Sequence, residues 1–331
     1  MFSFYLRLLE KLNVVLGDGI IHHILIGSTE NGINLIESLG LLTTGVYVPI
    51  GMILPYVFSF YVVLSILEDS GYLPRLAALI DNFMHRLGMH GIAVVPIMLG
   101  FGCNVPGAYA TRILETRRQR FIAITLIAIA VPCMSQMAML FGLLGGFGLK
   151  GLGIVFLTLF IVWLIIGKIL NKLMKGVVPE TFMEITPYRI PNFKTFYKKL
   201  FMRLKGFMFE AVPYVFLGVI IINILYFTGI IDFVGNLASP IVEGLLGLPK
   251  EAVGTLIIGF LRKDVAVGML VPLGLTMKQM IIASVVLTMY FPCIATFSVI
   301  YKELGLVDTF KSVGVMVIST LITGTVLNFV L

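Results

Sequence analysis

The chain has 331 residues, 59% of them hydrophobic and only 12% charged, with mean hydropathy +1.04 and a formal net charge of +7. A soluble domain carries roughly a quarter charged residues, so ordinary soluble folds are excluded. The positive balance does not mark a nucleic-acid binder. Thirteen of the 24 Lys and Arg residues fall in Arg112–Arg120 and Lys168–Lys205, between apolar runs, with no stacking aromatics interleaved on a basic face.

In chain order, residues 1–46 read as an interfacial segment. Arg7, Glu10, Lys11 and Asn13 interrupt Phe2–Leu16, which therefore resembles a helix lying at the membrane surface more than a cleaved leader. A first unit, 47–172, opens with a span at 47–67, inside a thirty-residue uncharged run from Ser38 to Leu67. It continues through an amphipathic connection to an interrupted apolar segment at 89–111. A span at 121–144 and a helix at 151–172 complete it. Residues 173–205 read as a basic linker, and Lys168–Lys205 holds nine Lys and Arg. A second unit, 206–331, repeats the order: span 207–231, interrupted segment 252–275, span 279–301 and a final helix 312–331. Each span meets the roughly 20 apolar residues that crossing a bilayer requires. The positive-inside rule makes both basic regions cytoplasmic.

The two units are copies. Pro55-Tyr56-Val57-Phe58 recurs as Pro213-Tyr214-Val215-Phe216, and Gly71 corresponds to Gly229. Leu87-Gly88 matches Leu246-Gly247, Gly100-Phe101 matches Gly259-Phe260, and Pro132-Cys133 matches Pro292-Cys293. Pro96, Gly100, Gly102, Pro106 and Gly107 make a uniform helix through Gly91–Ala110 costly. Broken backbone at membrane depth persists only where it is buried in protein or lines a cavity. A matched pair of such segments points to a transport site; the competing reading is an ordinary kinked helix with snorkelling cations. Re-entrant segments make the repeats inverted and fully crossing ones make them parallel. Lys302 and Lys311, in the last short loop, favour inversion.

Candidate chemistry gathers at the breaks. A proline within a helix frees the carbonyl one turn earlier, here near Ala128 and Thr288, and the adjacent Cys133 and Cys293 place thiols at that depth. Cys103, beside Asn104, adds a third. Thiolate with carbonyl suits a transition metal, whereas a single free cysteine also reads as a small buried hydrophobe. Met134, Met137 and Met139 are weaker sulfur candidates. Asp264 is an intramembrane carboxylate that either meets a cation or neutralises Arg262 and Lys263. Glu68 and Asp69 read as a solvated loop or as a cation-gathering mouth. His22, His23, His85 and His90 lack metalloprotease spacing and read as surface residues. The cysteines show no CxxC spacing and no disulfide framework. No nucleophile elbow, zincin or phosphate-binding loop is present, so an enzyme is not expected.

Several strings resemble the ferrous iron transport protein B family (FeoB). Leu67-Glu68-Asp69-Ser70-Gly71-Tyr72, Gly100-Phe101-Gly102-Cys103-Asn104-Val105-Pro106 and Ala110-Thr111-Arg112 with Glu115 look like its first Gate motif. Met183-Glu184-Ile185-Thr186-Pro187-Tyr188-Arg189-Ile190-Pro191 is similar to the segment introducing its second Gate. Gly259-Phe260-Leu261-Arg262-Lys263-Asp264 and Phe291-Pro292-Cys293-Ile294-Ala295-Thr296 resemble that second Gate. The resemblance implies an all-α polytopic membrane protein with two Gate-type repeats, in the cytoplasmic membrane. It implies Fe²⁺ as transported substrate with no permanently bound cofactor. Its implied partners are a separate GTP-binding protein, a small cytosolic accessory protein, the lipid bilayer and further copies in a homo-oligomer. The expected metal-contacting residues are Cys103, Cys133, Cys293, Asn104 and Asp264. Two positions depart from the family pattern: Met134-Ser135-Gln136 replaces an Arg-Leu-Pro stretch, and Asp264 stands where Glu is usual. The family's GTP-binding domain has no counterpart in these residues. A nucleoside carrier and a non-transporting scaffold are the alternatives.

Overall fold

The computed structural model describes residues 54–145, 149–174, 193–227, 242–261 and 273–331, with a few isolated positions between them. All regular structure among these is helical. The helices are α1 (Leu54–Asp69), α2 (Tyr72–Arg86), α3 (Val94–Gly102), α4 (Asn104–Ala110), α5 (Arg117–Ala130) and α6 (Met134–Leu144). They continue with α7 (Leu149–Leu173), α8 (Phe193–Phe227), α9 (Glu251–Leu261), α10 (Met277–Met289) and α11 (Ile294–Val330). Arg117–Ala138, Lys150–Leu173 and Met277–Val330 are long and apolar enough to cross a membrane. The interfacial reading of residues 1–46 and the Pro187–Pro191 string lie outside the described residues. Helix α8 starts at Phe193, within the stretch read as linker.

The repeat-equivalent helices α5 and α10 form the centre. In α10 every residue from Met280 to Met289 is buried, and α5 is buried from Phe121 through Ala130. A helix apolar on all sides needs protein around it, and α6, α7 and α11 pack against this pair. By contrast α7 leaves Leu157, Phe160, Ile161, Ile165 and Ile169 exposed, an apolar face that fits lipid. α11 is two helices joined at Gly305, whose φ of 76° and ψ of 175° reverse the chain. Thr309 Oγ1 then donates to the Gly305 carbonyl at 2.7 Å and lies 3.4 Å from the Ile300 carbonyl.

The interrupted segment of the first copy is a hairpin, which displaces the kinked-helix alternative. After α2 the chain bends by 105° into the helical stretch Gly91–Gly102. It breaks at Cys103 and returns as α4. The two arms meet through glycine: a methyl group on Gly107 would sit 2.8 Å from the Gly100 Cα and 3.0 Å from the Pro96 carbonyl. The second copy repeats this contact one residue number for another. A methyl on Gly259 would lie 3.1 Å from the Ala266 Cβ, and these positions correspond to Gly100 and Gly107.

The copies run in opposite directions. At the start of α5, Arg117 donates to the Leu304 carbonyl at 3.1 Å and pairs with Asp308, near the Gly305 turn. At the start of α10, Lys278 donates to the Asn328 carbonyl at 2.6 Å, at the far end of α11. Helix α7 gives the same answer. Its last turn meets α5 through Arg118 and the Asn171 carbonyl at 3.0 Å, while Gly151 in its first turn lies against Met277. Equivalent helices therefore begin at opposite ends, and the repeats are inverted.

One end of the molecule collects the basic regions. Arg112 donates to Glu303 at 2.9 Å, and Arg118 bonds the Met174 carbonyl at 2.9 Å. Lys199 pairs with Asp69 at 2.6 Å and Glu68 at 3.3 Å, and Arg203 with Glu68 at 2.6 Å. Glu68 and Asp69 are therefore neither a solvated loop nor a cation mouth, because both are occupied by the start of α8. The hydrogen bond to Asp69 is the main cause holding the Lys199 amine above its ordinary range.

Candidate functional site

Each of the three cysteines is the N-cap residue of a helix starting inside the protein. Cys103 caps α4 with φ −155° and ψ 133°, Cys133 caps α6 with −74° and 167°, and Cys293 caps α11 with −62° and 157°. Proline dictates the last two. Pro132 and Pro292 cannot donate, so α5 and α10 stop, and the following thiol sits beside a fresh helix N-terminus, which carries partial positive charge. Ser135 and Gln136 have a local task. Gln136 Oε1 accepts the Cys133 N–H at 3.0 Å, and Ser135 Oγ is hydrogen-bonded with the Cys133 thiol at 3.2 Å. In the second copy Thr296, which the register pairs with Gln136, places its Oγ1 3.1 Å from the Cys293 sulfur.

The fold brings the three sulfurs into one electrostatic neighbourhood. Cys103 lies within electrostatic range of both Cys133 and Cys293, and Cys133 lies within range of Cys293. Among the described residues they do not form a closed cluster, since only Asp81, His85 and His90 place three donor atoms within 4.8 Å of one another. Asn104 is buried beside Cys103, and its Oδ1 has no hydrogen-bond partner among the described residues. Asp264 lies outside the described residues. Met134 is exposed, and nothing places Met137 in the group.

Lys263 is the residue the sequence reading passed over in favour of Asp264. It is 7% exposed, and its Nζ donates at 2.8 Å to the Thr288 carbonyl, the group that Pro292 leaves without its helical partner. The amine lies within electrostatic range of Cys133 and Cys293. In the repeat register Lys263 corresponds to Asn104, so one copy places an amine where the other places an amide. That register was the available signal. His90 also departs from expectation: it is 4% exposed rather than a surface residue, because Asp81 and Gly91 draw it under α2.

These features define a class, a polytopic helical membrane protein of inverted repeats whose broken helices meet near the centre. The Gate profile, described as nucleoside recognition, matches residues 50–147 and 208–307, and the chain belongs to the Gate family. A second profile, ferrous iron transport protein B C terminus, matches residues 152–203 between the two copies. The chain is 27% identical over 323 residues to the Fe(2+) transporter FeoB of Staphylococcus aureus (strain MSSA476), covering 88% of this chain and 48% of the relative. It is 27% identical over 307 residues to the Fe(2+) transporter FeoB of Methanocaldococcus jannaschii, covering 80% and 46%. A fusion of Fe(2+) transport protein A and Fe(2+) transporter FeoB from Porphyromonas gingivalis is 34% identical over 144 residues, covering 42% and 17%. The chain spans about half the length of the full-length FeoB relatives it matches. No solved structure matches it.

Proposed function

We propose that this chain forms the membrane pathway of a ferrous iron permease in the cytoplasmic membrane, with Fe²⁺ passing Cys103, Cys133 and Cys293. The observation that carries the proposal is the placement of all three thiols at helix starts within the bundle, two of them related by the repeat. Sulfur and carbonyl ligands suit a first-row transition cation better than an alkali ion or a sugar. The open spacing of the sulfurs also fits transit, because a conducted ion needs several sites that each release it.

Charge balance gives the remaining residues their roles. An uncompensated dication in apolar surroundings is very costly, so thiolates receive it, with Asn104 Oδ1 as a neutral ligand and Asp264 as a counter-charge. Lys263 supplies positive charge to the thiols while no metal is present and yields to the arriving ion. The basic end is cytoplasmic by the positive-inside rule. The basic face built from α5, α7 and α8 is where a GTP-binding protein and a small accessory protein of the kind fused in the Porphyromonas relative would dock. The chain itself transports and catalyses no reaction.

Radiolabelled Fe²⁺ uptake into liposomes tests this, with wild type beside Cys103→Ser, Cys133→Ser and Cys293→Ser. Each substitution should lower uptake at least tenfold, equivalent to about 1.4 kcal/mol per site. Unchanged uptake in all three removes the sulfur route. The description of the Gate profile as nucleoside recognition motivates a second arm with labelled nucleosides. Nucleoside uptake without Fe²⁺ uptake would replace the iron reading.

A further inference from the structure

Asp81, His85 and His90 form a second constellation, away from the cysteines. Asp81 and His85 stand four residues apart in α2 and so share one face. The chain leaves α2 through Gly88, whose φ of 80° turns it back, and His90 precedes a 3₁₀ turn at Gly91–Ala93. Gly91 then packs on the Ala77 carbonyl, a contact that leaves no room for a side chain, and its N–H donates to Asp81 Oδ1 at 2.6 Å. That contact fixes the carboxylate and returns His90 over His85. Their rings lie perpendicular with centroids 4.7 Å apart. His85 Nε2 is 3.2 Å from Asp81 Oδ2, and His90 Nδ1 is 3.9 Å from Asp81 Oδ1.

We propose that Asp81, His85 and His90 bind a divalent first-row transition cation, and that this is the station at which Fe²⁺ leaves the membrane pathway. Two imidazoles and a carboxylate grouped on one side, with the remaining positions open, are ligands that Fe²⁺ accepts together with water. The environment is graded to suit that. His90 is buried, while the side chains of His85 and Asp81 are 38% and 35% exposed, so solvent reaches the open side. The constellation sits at the basic end, where Asn171 Nδ2 donates to the Arg86 carbonyl at 3.1 Å. It also stands at the mouth of the first hairpin. From Gly91 to Cys103 the rising arm covers roughly 18 Å at 1.5 Å per residue. An ion passed from sulfur to this nitrogen and oxygen set exchanges soft ligands for harder ones plus water, which favours release. The role as exit station rests on the permease reading; the binding of metal does not.

Cobalt(II) titration of the purified full chain in detergent separates the two claims. A variant carrying Cys103→Ser, Cys133→Ser and Cys293→Ser removes the sulfur ligands, and its d–d absorption should still report one bound Co²⁺. Adding His85→Gln should weaken that binding at least about tenfold. Asp81→Asn, which retains an oxygen for the Gly91 N–H, should do the same with circular dichroism and thermal midpoint unchanged. Absence of binding in the triple serine variant overturns the site, as does binding indifferent to both His85→Gln and Asp81→Asn. Binding that behaves as expected in a chain that moves no Fe²⁺ into liposomes overturns the exit role and the permease reading while leaving the metal site.

Discussion

Lys263 reaches the Thr288 carbonyl because Pro292 has no N–H to give it. An amine buried to this degree needs a strong acceptor, and the helix break supplies one within range of Cys133 and Cys293. Replacing it by Lys263→Met removes a positive group from the thiols and strands the carbonyl. Metal should then bind roughly tenfold more tightly, the ratio given by about 1.4 kcal/mol of relieved repulsion, and turnover should slow. Equilibrium Cd²⁺ binding beside Fe²⁺ flux checks both halves, and weaker binding would refute the charge-balance role. The contrast with Asp264 shows where reading residues in isolation stops. A carboxylate in apolar sequence attracts notice, whereas a lysine between Arg262 and Asp264 reads as locally neutralised. Only the folded backbone shows that its amine leaves that sequence neighbourhood for a carbonyl 25 positions away. His90 was hidden for a similar reason, since its partners Asp81 and His85 come from α2 and no linear spacing motif joins them.

The hairpin of α3 and α4 depends on glycine where its arms touch. Gly107 has the Gly100 backbone and the Pro96 carbonyl within a methyl's reach, so a branched side chain must push the arms apart. Gly107→Leu should cost about 3 kcal/mol through overpacking and abolish transport. Gly142→Ala, at a position with open space around it, should leave the thermal midpoint unchanged. Equal midpoints for wild type and Gly107→Leu would mean that the close approach is not needed. This element was readable in advance, because Pro96, Gly100, Pro106 and Gly107 argue against a single helix and the repeat argues against accident. The matching contact of Gly259 with Ala266 was less so. Alanine in place of the second glycine keeps the side chain small while concealing the correspondence.

Inversion is a property of the whole molecule and rests on contacts between residues from 50 to 191 positions apart. Arg112 with Glu303 and Arg117 with Asp308 are each separated by 191 residues. Periodicity and composition do not carry such information; the loop lysines Lys302 and Lys311 gave only a direction. Opposed copies place Arg86 at the basic end and Lys250 at the other. In oriented vesicles, a membrane-impermeant thiol reagent should therefore label Lys250→Cys from outside, and Arg86→Cys only after permeabilisation. Labelling of both from the same face would contradict the inverted arrangement.

The central claim is that metal meets sulfur where the helices of the two copies break. X-ray absorption fine structure of the chain loaded with Zn²⁺, a redox-silent stand-in for Fe²⁺, addresses it directly. A sulfur shell at about 2.3 Å is predicted for wild type and for His85→Gln, lost when Cys133→Ser and Cys293→Ser are combined. A wild-type spectrum with only nitrogen and oxygen neighbours at about 2.0–2.1 Å would contradict it.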